Sequence, residues 1–379
     1  MRIAWLGKKS PFCGNVSYGL AVTEALKERG HGISFIHFNT PCLQANSESH
    51  NDQEPEVALP YLVKSQMYTI PSPRASRELR ESLERFQPDL VHASLTLSPL
   101  DFRLPELCQQ LGVPLVATFH PPFDAGLRNI TAGGQQLTYQ LYASSLAKFD
   151  RVVVFSELQA ELLIRLGVAK STLAVIPNGV DPNLWRPGAS QLNERFRGKR
   201  VFLYMGRLAT EKNVEALLRA WKLVQLPGCV LVVVGDGPLR QALQANYSND
   251  DVIWWGYEAD QAVRLALLQV TEVFMLPSLV EGLSLALLEA MASGTACVAT
   301  DAGADGEVLE GGAGIVISTQ GVTTQLRTLL PVLREQPILS RELGRRARER
   351  VLERYTLKGN IDALEQLYTD LISPIPLAA

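Results

Sequence analysis

Short apolar runs alternate along this chain with longer stretches in which apolar residues recur every three or four positions. The first pattern predicts buried strands and the second predicts amphipathic helices. In the N-terminal half the predicted strands are Ile3–Leu6, Ile33–Phe38, Leu90–His92, Leu115–Phe119 and Arg151–Phe155. The predicted helices there are Tyr18–Arg29, Pro73–Phe86, Asp101–Leu111 and Gln136–Ala147, and the polar stretch 39–57 reads as a surface loop. Such alternation predicts an α/β chain with a mostly parallel sheet covered on both faces.

Ile176-Pro177-Asn178-Gly179-Val180-Asp181-Pro182 is dense in turn formers and predicts a domain boundary. A second alternating set follows, with strands at Val201–Met205, Val230–Val234, Val252–Trp255, Val273–Leu276, Ala296–Ala299 and Gly314–Ile317. Three predicted helices finish the chain, at Thr323–Arg334, Ser340–Tyr355 and Asn360–Leu371. With 379 residues, 46% of them hydrophobic, two cores can be filled. The expected organisation is one Rossmann-like domain over 1–178, a second over 179–358, and a C-terminal helix and tail over 359–379.

Charge and cysteine content remove several classes of function. The net charge is −3 and no long basic run exists, which argues against a nucleic-acid partner. The cysteines at 13, 42, 108, 229 and 297 are scattered, with no Cys-x-x-Cys pair. They predict a reducing compartment and no structural zinc, with Cys229 and Cys297 as core thiols. Met1–Gly7 reads as a strand, and Lys8-Lys9 follow it, so no leader or spanning segment is expected. The expected location is cytoplasmic, or peripheral on a membrane facing the cytosol. Arg74, Arg77, Arg80 and Arg85 lie along one helix, but Glu78, Glu81 and Glu84 predict a solvated, salt-bridged face.

The stretch Pro277 to Ala292 concentrates the chemistry. Pro277 stops the strand before it, Gly282 permits an unusual backbone, and Ser284 can cap the next helix. Glu281 then stands in the loop and Glu289 inside the helix, close to a helix N-terminus that attracts phosphate. Strand–loop–helix units with Gly and Glu occur throughout α/β proteins, so this stretch alone is weak. Two further strand ends strengthen it. Gly206-Arg207-Leu208-Ala209-Thr210-Glu211-Lys212-Asn213 follows one strand and opens a helix, and Gly235-Asp236-Gly237-Pro238 ends another. Arg207 and Lys212 would meet anions at a helix start, Arg bidentately and Lys as a compact charge.

Taken together, the Glu-x7-Glu, Gly-Arg-Leu…Glu-Lys-Asn and Gly-Asp-Gly-Pro elements resemble the donor half of a family 4 glycosyltransferase. The resemblance runs from about Met1 to about Leu371. It implies the GT-B fold, two Rossmann-like domains facing across a cleft, with the C-terminal helix returning to the first. It implies retaining, metal-independent transfer of a hexose from a nucleotide sugar, with no bound cofactor. The implied catalytic residues are His120, Arg207, Lys212 and Glu281. The implied donor-binding residues are Gly14, Gly206, Tyr257, Gly282, Leu283, Ser284, Leu285 and Glu289, and no metal ligand is implied. Glu289 would accept from ribose hydroxyls, and Glu281 with the amides of 282–284 would address the sugar. The family often has Phe-Gly where this chain has Leu283-Ser284, and Gly-Gly where it has Gly14-Asn15. The chain also lacks the Asp-x-Asp of metal-dependent transferases at a strand end.

Two N-terminal segments, 8–16 and 91–101, look similar to cyanobacterial digalactosyldiacylglycerol synthases. That similarity implies UDP-galactose as donor and monogalactosyldiacylglycerol, a glycolipid, as acceptor. Phe12, Leu95, Leu97, Leu100, Phe123 and Leu127 fall in expected strand-end loops, where they could face lipid or simply pack. The alternatives are the same fold with a soluble or polysaccharide acceptor, a GT-B epimerase, and a sugar-nucleotide-binding protein without transfer. A glycosidase would hold its two carboxylates about 5–9 Å apart but has no use for Arg207 and Lys212.

Overall fold

The aliphatic runs do become strands buried on both faces, and each set builds its own parallel sheet. The structure, a computed structural model, describes residues 1–10, 14–39, 56–65, 68–124 and 130–373. It divides into one unit of residues 1–120, 138–176 and 360–379, and another of 121–137 and 177–359. The chain thus changes unit between Ile176 and Pro177, within the predicted turn.

The first unit is built from β1 (Arg2–Leu6), α1 (Gly14–Glu28), β2 (Gly32–Phe38), β3 (Val57–Leu59), β4 (Tyr61–Lys64), β5 (Thr69–Pro71), α2 (Ala75–Phe86), β6 (Leu90–Ser94), α3 (Leu104–Leu111), β7 (Leu115–Thr118), α4 (Ile130–Leu146, from Thr138 onward), β8 (Arg151–Val154), α5 (Glu157–Arg165) and β9 (Leu173–Val175). Seven of its strands form a sheet in the order β3-β2-β1-β6-β7-β8-β9, parallel at every pair. The chain order reverses at β1, which pairs with both β2 and β6.

Several details differ from the sequence reading, among them α4, which starts at Ile130 rather than Gln136, and β3, α5 and β9, which were not expected. The first helix starts at Gly14, a turn earlier than Tyr18. The segment predicted as one helix over 101–111 is split into a 3-10 turn, Pro99–Arg103, and α3. Ser98 closes that turn: its Oγ accepts from Leu100 N–H at 3.2 Å, and its own N–H donates to Asp101 Oδ2 at 3.0 Å. Pairing of β4 with β5 in a separate antiparallel hairpin was not anticipated. Of the predicted 39–57 loop, residues 40–55 lie outside the described residues, and Val57 opens β3. On α2, Arg77 pairs with Glu81 and Arg80 with Glu84, the salt-bridged face that was expected.

The second unit contains β10 (Arg200–Met205), α6 (Val214–Val224), β11 (Cys229–Val234), α7 (Arg240–Tyr247), β12 (Val252–Gly256), α8 (Gln261–Val270), β13 (Thr271–Leu276), α9 (Leu285–Ala292), β14 (Ala296–Thr300), α10 (Asp305–Val308), β15 (Ile315–Ile317), α11 (Val322–Glu335) and α12 (Pro337–Arg354). Its six strands run β12-β11-β10-β13-β14-β15, again parallel throughout. Here the order reverses at β10, between β11 and β13. Open parallel sheets bind ligands beyond strand carboxyl ends at such reversals.

The last helix, α13 (Leu357–Ile372), belongs to the first unit from Asn360 onward. Its Tyr368 hydroxyl lies 2.5 Å from His92 Nδ1, and Asp362 meets Arg29 at 2.8 Å. Among the described residues no helix is long and apolar enough to cross a membrane. Cys108, Cys229 and Cys297 are buried and free; Cys13 and Cys42 lie outside the described residues.

Candidate active site

In the second unit, the loops after β10 and β13 meet at the sheet reversal. Leu279 N–H donates to Glu211 O at 2.8 Å, tying one loop to the other. Across this link Lys212 Nζ donates to Glu281 Oε1 at 2.6 Å, and Ser278 Oγ donates to the same oxygen at 2.7 Å. The Glu281 backbone is pinned separately, its carbonyl accepting from Phe123 N–H at 2.8 Å. Glu281 is buried, so a paired cation is what allows its charge there. Lys212 carries three N–H donors and spends one on Glu281.

Arg207 pairs with Glu211 in the same loop, while Tyr204 OH donates to the Arg207 carbonyl at 2.8 Å. The backbone here is packed to contact. A Cβ on Gly235, whose φ is +133°, would sit 1.9 Å from Gly206 O, and one on Gly303 would sit 2.0 Å from Glu281 O. Only glycine permits either approach.

Ser284 caps α9, its Oγ accepting from Leu287 N–H at 3.3 Å. Its own amide is engaged: Ser284 N–H donates to Asp305 Oδ1 at 3.0 Å. The expected role of that amide toward the sugar is therefore corrected, because a buried carboxyl already occupies it. Burial, and then the nearby Glu281 charge, push the Asp305 carboxyl well above the ordinary range. Gly282 is held through its carbonyl, which accepts from Ala304 N–H at 2.8 Å, and Leu283 is buried. Leu285 opens α9. Glu289, one helical turn further on, is buried and bonded to Arg264 of α8. Burial raises its carboxyl above the usual range while Arg264 pulls it down. Tyr257 follows β12 and is 58% exposed. Gly235 N–H donates to Gly256 O at 2.7 Å, which sets the residue before Tyr257 against the Gly235–Pro238 turn.

The first unit has its own cluster at its sheet reversal. His120 follows β7, and its Nε2 lies 2.8 Å from Ser94 Oγ at the end of β6. Ser94 Oγ donates its single proton to Asn15 Oδ1 at 2.8 Å, and Asn15 Nδ2 donates to Leu95 O at 3.2 Å. With that proton spent, Nε2 of His120 must be the donor, which leaves Nδ1 as an acceptor. Burial, and then the Lys8 charge, push His120 down to about 3, so the ring is neutral at physiological pH. Gly14 is the first residue of α1, and nothing lies within 4 Å of a Cβ built on it. The loop is held by Asn15 instead. His92 is a core residue, stacked on Trp5 with ring centroids 4.2 Å apart and bonded to Thr118 Oγ1 at 2.7 Å.

Several site residues escaped the sequence reading. Ser278 sat inside the strongest motif, but its reach to Glu281 depends on the loop's fold. Arg264 and Asp305 belong to no motif singled out beforehand, and no local signal marks them. The proposed lipid-facing residues fare differently: Leu95, Leu100 and Phe123 are 2%, 4% and 2% exposed and pack in the core. Leu97 is half-buried, and Phe12 and Leu127 lie outside the described residues.

Two doubly wound units, with cations, buried carboxylates and a helix start gathered at one strand-order reversal, define a GT-B type of protein. Family comparison agrees. Residues 14–184 match the model of Glycosyltransferase Family 4, and residues 199–331 match that of Glycosyl transferases group 1. The chain belongs to the family 4 glycosyltransferases, enzymes that draw a sugar from a nucleotide sugar. It is 25% identical over 312 residues to an Escherichia coli UDP-Gal:alpha-D-GlcNAc-diphosphoundecaprenol alpha-1,3-galactosyltransferase, covering 78% of each chain. It is 24% identical to the Bacillus anthracis N-acetyl-alpha-D-glucosaminyl L-malate synthase, over 95% of this chain and 94% of that one. In fold it is similar to Anabaena HepE in complex with UDP, with a TM-score of 0.77, 18% identity and coverage of 97% and 100%.

Proposed function

We propose that this protein is a retaining, metal-independent galactosyltransferase that moves galactose from UDP-galactose to a glycolipid, making digalactosyldiacylglycerol from monogalactosyldiacylglycerol. The observation that carries the transferase chemistry is the Lys212–Glu281 pair beside the start of α9. As the bond from sugar C1 to the β-phosphate breaks, the leaving diphosphate gains negative charge. Lys212 and Arg207 are fixed cations that favour that charge. The acceptor oxygen bonds C1 on the face being vacated, and its proton passes to the departing phosphate oxygen. No further base is needed, which suits a neutral His120 that hydrogen-bonds a hydroxyl. Glu281 addresses the sugar and Glu289 the ribose.

Two observations support the finer reading. The E. coli relative is named for UDP-Gal and for an acceptor on diphosphoundecaprenol, a lipid. The β4–β5 hairpin exposes Leu62, Val63, Tyr68 and Ile70, four apolar side chains on one small element. Such a patch suits peripheral contact with a bilayer from the cytosolic side. A soluble acceptor is the second reading, favoured by burial of the strand-end leucines and by the malate synthase likeness.

The test is incubation of the protein with labelled UDP-galactose, UDP-glucose and UDP-N-acetylglucosamine, each with galactolipid vesicles or soluble sugars, in EDTA. Labelled digalactolipid from UDP-galactose alone is the expected result. Label only in water-soluble product rejects the lipid reading, and activity that returns only with Mg²⁺ or Mn²⁺ rejects metal independence.

A further inference from the structure

Arg264 lies outside every motif that the sequence analysis singled out, yet it bonds a carboxylate of the donor site. It projects from α8 and donates through Nη2 to Glu289 Oε2. Its guanidinium also lies over the Trp185 ring, with Cζ 5.2 Å from the centroid. Trp185 is itself fixed: it is 3% exposed, its N–H donates to Asp181 O at 2.9 Å, and its carbonyl accepts from Arg348 Nη1 at 3.2 Å. The guanidinium is therefore held between a rigid aromatic face and the carboxylate, and its rotation is restricted on both sides. Among the described residues, Glu289 Oε1 receives no hydrogen bond.

We infer that Arg264, backed by Trp185, is a positioning residue for nucleotide binding: it occupies Oε2 of Glu289 and so presents Oε1, ionised and in one orientation, to the nucleotide's ribose hydroxyls. This rests on the reading that Glu289 receives the ribose. A buried carboxylate without a paired cation takes up a proton and then offers a weaker, freely rotating acceptor. Arg264 prevents this without contacting the nucleotide. Trp185 acts one step further out, by holding the guanidinium in plane.

The test is calorimetric binding of UDP and of 2′,3′-dideoxy-UDP to the full chain, compared across wild type, Arg264→Met, Arg264→Lys and Glu289→Gln. The expected result is that Arg264→Met weakens UDP binding on the order of 10-fold or more, as loss of a charge-supported hydrogen bond does. The loss should deepen as pH falls from 8 to 6, because the unpaired carboxyl protonates at higher pH than in wild type. It should vanish with the dideoxy ligand, which has no hydroxyl to offer. Arg264→Lys keeps the cation and should fall in between, covering the case in which Arg264→Met folds poorly. Weaker UDP binding in Glu289→Gln with unchanged binding in both Arg264 variants overturns this inference while sparing the ribose reading. An equal loss for UDP and dideoxy-UDP also overturns it, because the effect would then bypass the ribose. Unchanged UDP binding in Glu289→Gln removes the ribose reading itself.

Discussion

The two sheets reverse their strand order in the same way, but what collects at each reversal differs in kind. At the first, His120, Ser94 and Asn15 form a chain of neutral hydrogen bonds ending on a backbone carbonyl. At the second, Lys212 with Glu281 and Arg207 with Glu211 form ion pairs in the adjoining loops. Topology thus places a site without choosing its chemistry. Neutral donors and acceptors suit hydroxyl groups, whereas paired charges suit a group that becomes more anionic as it leaves. The difference also sets vulnerability. A neutral network tolerates loss of one member at modest cost, but an ion pair that loses one partner strands a buried charge.

The sharpest way to break this contrast is steric. Gly303→Ala would place a Cβ 2.0 Å from Glu281 O, at a φ of +57°. The Glu281 loop must then move, at a cost on the order of 3 kcal/mol or more. The expected outcome is loss of more than about 100-fold in turnover together with a lower melting temperature, read by transfer assay and thermal melt.

Removing charge without moving backbone comes next. Lys212→Ala should lower kcat about 10- to 150-fold, the worth of a charge-assisted hydrogen bond in the transition state. It should also reduce stability on the order of 2 kcal/mol, because Glu281 loses its cation while partial exposure of Lys212 keeps the penalty below that of a fully buried pair. Adding Glu281→Gln should recover stability but not activity. Full activity in purified Lys212→Ala would remove the phosphate role.

A buried histidine of the first unit, His92, predicts a pH effect separate from that network. Burial, and then the His120 charge, push His92 down to about 3. The unfolded chain, with a histidine near 6.5, then binds more protons than the folded one between these values. Stability is therefore complete above about 6.5 and declines as pH falls toward 3, by about 2 kcal/mol per such histidine at pH 5. Asp101, raised to about 6 chiefly by burial, acts in the opposite sense, gaining stability as pH falls through 6. The difference between wild type and His92→Gln isolates the histidine. Melts at pH 7.5 and pH 5 should show a smaller acid loss in His92→Gln, and equal losses would contradict the neutral assignment.

The mildest expected change is at the hairpin. Leu62→Ser with Ile70→Ser alters exposed side chains, so stability should shift by less than about 0.5 kcal/mol. UDP binding should stay as it was, while sedimentation with galactolipid vesicles should drop. Unchanged sedimentation would place membrane contact elsewhere.

Most of the framework was legible in sequence because strands buried on both faces must be apolar throughout, and turns need Gly, Pro and Asn. All six strands of the second sheet were read within about a residue or two. The helix cap at Ser284 and the carboxylates at 281 and 289 followed from local spacing. The β4–β5 hairpin was missed because its strands are three or four residues long and bury little, so period-2 patterning is absent.

Sequence by itself determined the two alternating halves, the turn between them and the strand ends where chemistry gathers, since these depend on neighbours a few positions apart. Tertiary structure alone decided the partners. Arg264 and Glu289 are 25 positions apart, and Ser284 and Asp305 are 21 apart. Lys212 and Glu281 are separated by 69. Burial on folding then set which of these groups stay charged, and it sent Leu95, Leu100 and Phe123 into the core although their loops had suggested otherwise. Apolar character states that a side chain will leave water, but only packing decides whether it does so against its own chain or against a partner.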